Sequence, residues 1–460
     1  MAEPAGDGPS LWSATLPDDE REPRAAMLGD QVADVAIVGA GYTGLWTAYT
    51  LKRAEPSLRI VVVERETVGF GASGRNGGWC SAFFAGSRAQ TERAHGREGV
   101  VAMQRAMFET LDEIERVVAD EQIACDWARG GTVQVATRPS HVARLHHELD
   151  NHRSFGFGDD DYRWMEPDES QELIGCEPNL GALFSPHCAA IHPARLARGL
   201  ARAVERLGVT IYERTPATKI EPGRLHTRRG EVRAELIVRA TEAFTADLPG
   251  VRRNLAPIYS LMIATEPLPE SFWDQARLHE RPTFTDARHM IIYGQRTADD
   301  RFAFGGRGAP YHFGSHVRPK FDHDARVFAL LHETLRSLFP SIGDAAITHR
   351  WGGAVAVPRD WYPSVGFDRE HGIAWAGGYV GDGVSTTNLA GRTITDLVLG
   401  RDTELVRLPW VGHRSRRWVP EPLRWLGING ARVLVESVDK AEAEGREPRR
   451  RAALMRRILG

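Results

Sequence analysis

Three glycines, spaced Gly39-x-Gly41-x-x-Gly44, close the apolar run "DVAIV" at residues 34–38, and Glu64 closes a second apolar run twenty residues past Gly44. Alone, such a glycine pattern is more often an ordinary turn. An apolar strand on each side, a helix between and an acid at that offset point instead to dinucleotide binding. The first glycine permits the tight turn, the second lets a pyrophosphate approach main chain, and the third lets the helix pack close to the sheet. The helix beginning near Tyr42 and Thr43 offers its first N–H groups and positive dipole end to the phosphates. Glu64, followed by Arg65, stands where a carboxylate accepts ribose hydroxyls. A second loop, "GFGASGRNGG" (69–78), carries Gly69, Gly71, Gly74, Gly77 and Gly78. It is either a surface loop or main chain stripped to lie against a flat ligand. These motifs leave open whether the dinucleotide is nicotinamide or flavin.

The elements around these motifs follow from periodicity. A buried strand at 34–38, a helix with Leu45, Ala48, Tyr49 and Leu51 on its apolar face, and a strand at 59–64 start a parallel α/β sheet. Helical spacing recurs at 98–120, with Val101, Met107, Leu111, Ile114 and Val118 as core positions. Residues 130–139 alternate as a strand. Pro193 leads a helix that stops at Gly208 and feeds another strand. A strand at 234–241, a β-rich stretch over 255–308 and a helix at 323–338 follow. A last strand at 373–378 ends in glycines before the helix "STTNLAGRTITDLVLG".

Signals suited to one nucleotide-binding unit thus recur at separated places. The expected organisation is an arm at 1–30 anchored by residues such as Trp12, and a discontinuous unit of 31–95, 185–250 and 346–404. A β-rich unit of 96–184 and 251–345 is inserted into it, and a helical extension occupies 405–460. No internal repeat or low-complexity tract is present.

Composition bounds the function. The 460 residues are 42% hydrophobic and 26% charged, ordinary for a globular chain with a sizeable core, and the net charge of -3 gives no field for nucleic acid. Cys80, Cys125, Cys176 and Cys188 have no metal-site spacing, and four thiols in this length argue for a reducing compartment. The acidic start lacks a secretory core, and no apolar run is long enough to span a bilayer. A soluble, cytoplasmic protein with a small-molecule partner is expected.

The motifs "VGAGYTGLWTAYTL", "VGFGASGRNGG", "IHPARLARGLARA", "ATEPL", "FGGRG", "WGGAVAVPRDWYPSVG" and "GGYVGDGV…LAGR" cover most of residues 15–430. On them the chain resembles the flavoenzyme family of D-amino-acid oxidase, glycine oxidase and sarcosine oxidase, and looks most like its gamma-glutamylputrescine oxidase branch. The resemblance implies a discontinuous Rossmann-like FAD domain with an inserted mixed-sheet substrate domain. It also implies FAD, with the AMP half at Gly39, Gly41, Gly44 and Glu64. The ring would lie beside Gly71, Ala72, Ser73, Arg75, Asn76, Gly77 and Gly78. Ala217 would meet adenine through main chain, with Ala240 and Thr241 at the neighbouring strand end. Gly378, Gly381, Asp382, Gly383 and Val384 would cap the pyrimidine edge, where a helix start stabilises the charge of the reduced ring.

The implied reaction removes hydride from a carbon beside nitrogen to flavin N5, giving an imine that water hydrolyses. Oxygen or an electron carrier then takes the electrons. A redox-silent flavin-binding protein is the reading from another class.

Departures from the family pattern matter too. No cysteine follows Cys188 and the loop reads "ASGRNGG", so neither known flavin linkage is available and the FAD is expected to be dissociable. Cys80, near that loop, is read as a structural thiol. Asp382 stands where the family often has histidine, and Ser385 where sarcosine oxidase has a carboxylate-binding lysine. An acid there favours a cationic amine over an amino-acid carboxylate, unless Asp382 only caps its helix. Arg296, Asp382, Tyr259 and Trp351 are the substrate-side candidates, with Trp79 and Tyr293 as further pocket aromatics; plain core or surface roles compete for each. Arg307 is read as a loop brace and His192 as structural. No catalytic acid or base is assigned. The basic tail 446–460 is either a solvated end or a segment that lies on an anionic membrane.

Overall fold

The computed structural model describes residues 9–459, and two eight-stranded sheets organise it. Gln31–Val38 is central in the first because Val35, Ala36, Ile37 and Val38 are apolar on both faces, as a parallel strand covered on both sides must be. It pairs in parallel with Ile60–Val63 on one side and Gly230–Arg239 on the other. Ile373–Gly377 and Thr210–Tyr212 extend the sheet in parallel, and Ser364–Asp368 closes one edge antiparallel. Helices Tyr42–Ala54, Pro193–Arg206 and Gly383–Leu399 bury their apolar sides with Val35, Ile37 and Val62 in one core. Ala36, Val38, Val61 and Val63 point the other way, toward the hairpin of Ala217–Glu221 and Arg224–Thr227.

The second sheet runs, from edge to edge, through Ile347–Pro358, Leu255–Thr265, Phe302–Gly306, Ile292–Arg296, Thr283–Asp286, Thr132–Val135, Ala182–Ser185 and Arg163–Met165. Phe284, Phe302, Phe304 and Phe339 fill its core beneath helix Ala325–Leu338. Asp324 starts that helix by accepting the N–H groups of Arg326 and Val327.

Three sequence expectations need correction. Residues 347–358, grouped with the nucleotide-binding unit, pair instead along Leu255–Thr265. Their alternation of buried and half-buried positions suits a long antiparallel strand whose partner lies far away in sequence, which local motifs do not report. Helix Arg88–Asp120, grouped with the inserted unit, places Met103, Met107, Leu111 and Ile114 in the first core. Arg392, on helix Gly383–Leu399, donates to Thr110 Oγ1 of this helix at 2.9 Å. The arm is also less irregular than expected: Leu11–Ala14 and Asp18–Arg21 are short helices, and buried Trp12 donates its indole N–H to Asn76 O at 2.8 Å. Residues 1–8 of the arm lie outside the described residues.

Met107 is fully buried between the helix and the first core. Met107→Ala should therefore lower stability by about 2–5 kcal/mol, measured by denaturant unfolding. A loss below about 0.5 kcal/mol, the range of surface substitutions, would contradict this placement.

Candidate functional site

The carboxyl ends of four parallel strands open on one cavity of about 600 Å³, where ligands of open α/β sheets bind. After Val38 come Gly39, Gly41, Tyr42 and Thr43; after Val63, Glu64 and Arg65; after Arg239, Ala240 and Thr241; after Gly377, the turn holding Gly381, Asp382, Gly383 and Val384. Gly71, Ala72, Ser73, Arg75, Asn76 and Gly77 form a further wall, and Ala217 lies at the far end. Gly39 has φ +105° and its Cβ would stand 2.5 Å from Ala240 O, so main chain meets main chain there. At Gly77 a Cβ would meet the Tyr293 ring at 2.7 Å.

Three expected residues stand behind the wall rather than in it. A Cβ on Gly44 would meet Gly39 O at 2.0 Å, so this glycine sets helix-to-strand packing. Gly78 is pressed against Gln295 and Ile191 O, and Gly378 against Pro358 and Leu255.

Polar groups along the cavity are arranged for a ligand rich in oxygens. Glu64 accepts the N–H groups of Ala40 (2.8 Å) and Glu66 (3.0 Å), while burial pushes its pKa up. Ser73 Oγ accepts the Tyr42 N–H at 2.9 Å, and no acceptor among the described residues takes the Thr43 N–H. Asp382 precedes helix Gly383–Leu399 without capping it, which leaves the first N–H groups of that helix to the cavity. The buried indole N–H of Trp79 has no partner among the described residues and lines the same space. Two helix starts, an acid at a strand end and glycine-bared walls fit a dinucleotide at one end and a flat ring at the other.

Glu242, which the sequence reading missed, joins two of these turns. Its half-buried carboxylate accepts the N–H groups of Gly378 (2.9 Å) and Tyr379 (3.3 Å). Burial pushes its pKa up to about 7, against the pull of those N–H groups. Nothing in "ATEAF" marks it, because its partners come from a strand end some 136 residues away.

On the ring side, Trp79 and Tyr293 meet edge to face at 6.3 Å, and the Tyr293 hydroxyl bonds Ser260 Oγ at 2.7 Å. Arg307 donates to Val380 O at 2.5 Å, so it braces the turn while also lining the cavity. Asp382 faces the cavity, with burial pushing its pKa up to about 6 and Arg307 opposing. Ser385 is turned away and donates to Ser81 O. Gln134, Glu148, Asp286 and Arg288 line the outer part. Asp286 is held by Arg288 through Nε at 2.8 Å, whereas Glu148 accepts only from Gln134 Nε2 (3.3 Å) and lies 3.7 Å from His152. These residues come from separate segments with no shared spacing.

The other substrate-side candidates lie elsewhere. Arg296 is paired with Asp300 at 2.6 Å and stacked on Trp273 at 4.5 Å, drawn into the back of its sheet by those partners. Tyr259 packs on His312 and Phe321, and its hydroxyl accepts the Arg318 N–H. Trp351 donates to Arg75 O and packs on Trp12, supporting the loop from behind. His192 caps helix Pro193–Arg206 by accepting the Arg195 N–H. Cys80 is fully buried outside the cavity lining, and burial raises its pKa well above the thiol range.

Comparison with known proteins agrees with this geometry. A protein-family model described as "DAO: FAD dependent oxidoreductase" matches residues 34–397. The gamma-glutamylputrescine oxidoreductase of Escherichia coli K12 is 31% identical over 398 residues, which cover 84% of this chain and 89% of that one. Glycine oxidase of Geobacillus kaustophilus is 25% identical over 390 residues, covering 82% of this chain and 96% of its own. The crystal structure of that organism's glycine oxidase superposes with a TM-score of 0.70 at 22% identity, over 83% of this chain and 99% of that chain.

A carboxyl whose folded pKa exceeds its unfolded value binds its proton more tightly when folded, so the stability it gives is present at low pH and lost as pH rises. For Glu242 the window runs from its ordinary 4.5 to about 7. The loss across it should be on the order of 3 kcal/mol. Unfolding followed across this pH range should show a slope that is shallower in Glu242→Gln; an equal slope in both proteins would refute the assignment.

Proposed function

Because the chain belongs to the DAO family of FAD-dependent oxidoreductases, we propose that it oxidises the C–N bond of an elongated amine whose second charged end rests against Glu148. The observation that carries this reading is the distribution of acids in one cavity. Asp382 stands at the ring end and Glu148 at the outer end, and neither is in a salt bridge with arginine or lysine among the described residues. Both attract a cation. Similarity to the Escherichia coli gamma-glutamylputrescine oxidoreductase, named for an acylated diamine, supports the same choice.

FAD, when bound, supplies the two-electron sink that takes hydride from the carbon beside nitrogen, leaving an imine for water to hydrolyse. The protein's own residues do the rest. Gly39, Gly41 and the N–H of Thr43 would hold the pyrophosphate, Glu64 the ribose, and the start of helix Gly383–Leu399 the pyrimidine edge. Trp79 and Tyr293 wall the space over the ring and exclude water, and Asp382 draws in the substrate ammonium and accepts its proton. Arg307, held by Val380 O, keeps the Asp382 turn in place. All four cysteines are buried free thiols outside the cavity lining, which supports a dissociable FAD. Those unpaired thiols also support a cytoplasmic setting.

A second reading, a dehydrogenase that passes electrons to a carrier instead of oxygen, is favoured by the cations along the cavity. They are arginines and His289, and among the described residues no lysine lines it. The peroxide yield per turnover separates the two.

Anaerobic mixing with diamines, their acylated forms, amino acids and aminophosphonates should bleach the flavin most rapidly with a compound carrying a cationic group at each end. A flavin that stays oxidised across this panel would overturn the proposal. Glu148→Gln should raise KM for that compound by about tenfold, one ion pair of about 1.4 kcal/mol, with kcat little changed.

Ionisation of Asp382 near pH 6 should make kcat/KM rise through that pH. Asp382→Asn should flatten the rise in steady-state kinetics. An unaltered profile in that variant would remove Asp382 from the substrate side.

A further inference from the structure

The helices after residue 404 lie beyond the 34–397 match and carry a surface that the reaction does not use. Helix Leu423–Ala443 is fixed by its inner side. Asn429 exchanges hydrogen bonds with the main chain of Tyr311 (3.1 and 3.0 Å), Arg432 donates to Gly308 O, and Asp439 accepts the N–H groups of His289 and Met290. Its outer side is apolar and bare. Leu423 is 62% exposed, Leu426 56% and Val433 53%, with Trp425 at 40% beside them. Positions 423, 426, 430 and 433 follow the helical repeat, so they form one stripe, and Gly427 and Gly430 leave it smooth. Phe313, 59% exposed, extends it, because the Gly314 N–H bonds Glu421 at the root of the helix.

Charge around this stripe is one-sided. Residues 405–460 hold thirteen Lys and Arg against six Asp and Glu, while the rest of the chain has ten more acids than bases. Arg416, Arg417, Arg450, Arg456 and Arg457 are exposed and enter no ion pair among the described residues. An apolar stripe with an indole, carried on an extension rich in free guanidinium groups, has the chemistry of a helix that lies in the plane of an anionic lipid surface. A symmetric contact with a second copy would bring two such cationic extensions together, which opposes self-association through this face. No helix among the described residues is long and apolar enough to cross a bilayer.

We propose that the 423–433 face, with the free arginines of the same extension, docks the protein on the surface of an anionic bilayer. The same helix ends at the rim of the reaction cavity. Glu442 binds Arg144 at 2.9 Å, Asp439 holds the 289–290 main chain, and both Arg144 and His289 line the cavity.

Co-sedimentation of the flavin-loaded, full-length protein with phosphatidylcholine–phosphatidylglycerol vesicles tests this. Binding should require the anionic lipid and weaken as salt rises. The double variant Leu423→Asp, Leu426→Asp should lose at least about tenfold in partitioning, and Arg450→Gln, Arg456→Gln, Arg457→Gln at least about tenfold. Leu28→Asp, an exposed site off this face, should bind as the parent does. Flavin content and thermal midpoint report that each variant is folded. The proposal is overturned if the parent stays in the supernatant, if the leucine variant partitions as the parent does, or if the parent sediments as a dimer that Leu426→Asp dissociates.

Discussion

Where the central strand turns into its helix, Gly39 passes so near Ala240 that an added Cβ would sit 2.5 Å from the Ala240 carbonyl oxygen, and one on Gly44 would sit 2.0 Å from that of Gly39. Close approach of main chain to main chain at the carboxyl ends of neighbouring parallel strands is what makes the cavity. With side chains gone, the walls there consist of peptide groups, and N–H groups at two helix starts point inward. The ligand such a surface selects has charge spread over phosphate oxygens at one end and over a reduced ring at the other. Positive φ at Gly39 and Gly381 and tight contact at Gly77 serve the same geometry.

Turns built this way lack side chains to hold them together, and half-buried carboxylates take that part. Glu64 gathers the N–H groups of Ala40 and Glu66, and Glu242 those of Gly378 and Tyr379. Each joins two chain segments that no strand ladder connects at that point. Both are desolvated, so both have raised pKa values. A carboxyl used in this way costs stability when ionised, and that cost stays tolerable because several N–H groups converge on it.

This division also explains what the sequence disclosed. Glycine spacing, strand ends and helix starts are local, so the turns at 39–44, 71–77 and 381–384 could be read from the chain and do line the cavity. Contacts set by distant partners could not. Arg296 has the residue type for a substrate clamp, yet Asp300 and Trp273 draw it to the back of the sheet. Strand 347–358 follows the inserted unit in sequence and still belongs to its sheet, because its partner begins at Leu255. Glu242, Glu148 and Asp286 carry no motif; three segments bring them to one space.

The cavity rim is the place where the C-terminal helices and the two sheets meet. The loop 287–291 leaves strand Thr283–Asp286, lines the cavity, and is held from outside by Asp439 and Glu442. Arg144 is central to this brace: it binds Glu442, His289 and the Ala287 carbonyl, and it comes from a helix that also supplies Glu148. Arg144, which fixes the loop, and Glu148, which lines the outer part of the cavity, thus stand one helical turn apart. The extension outside the family match is therefore joined, through Arg144 and the 287–291 loop, to the outer part of the cavity, while the glycine-bared turns at the opposite end are held by their own sheet.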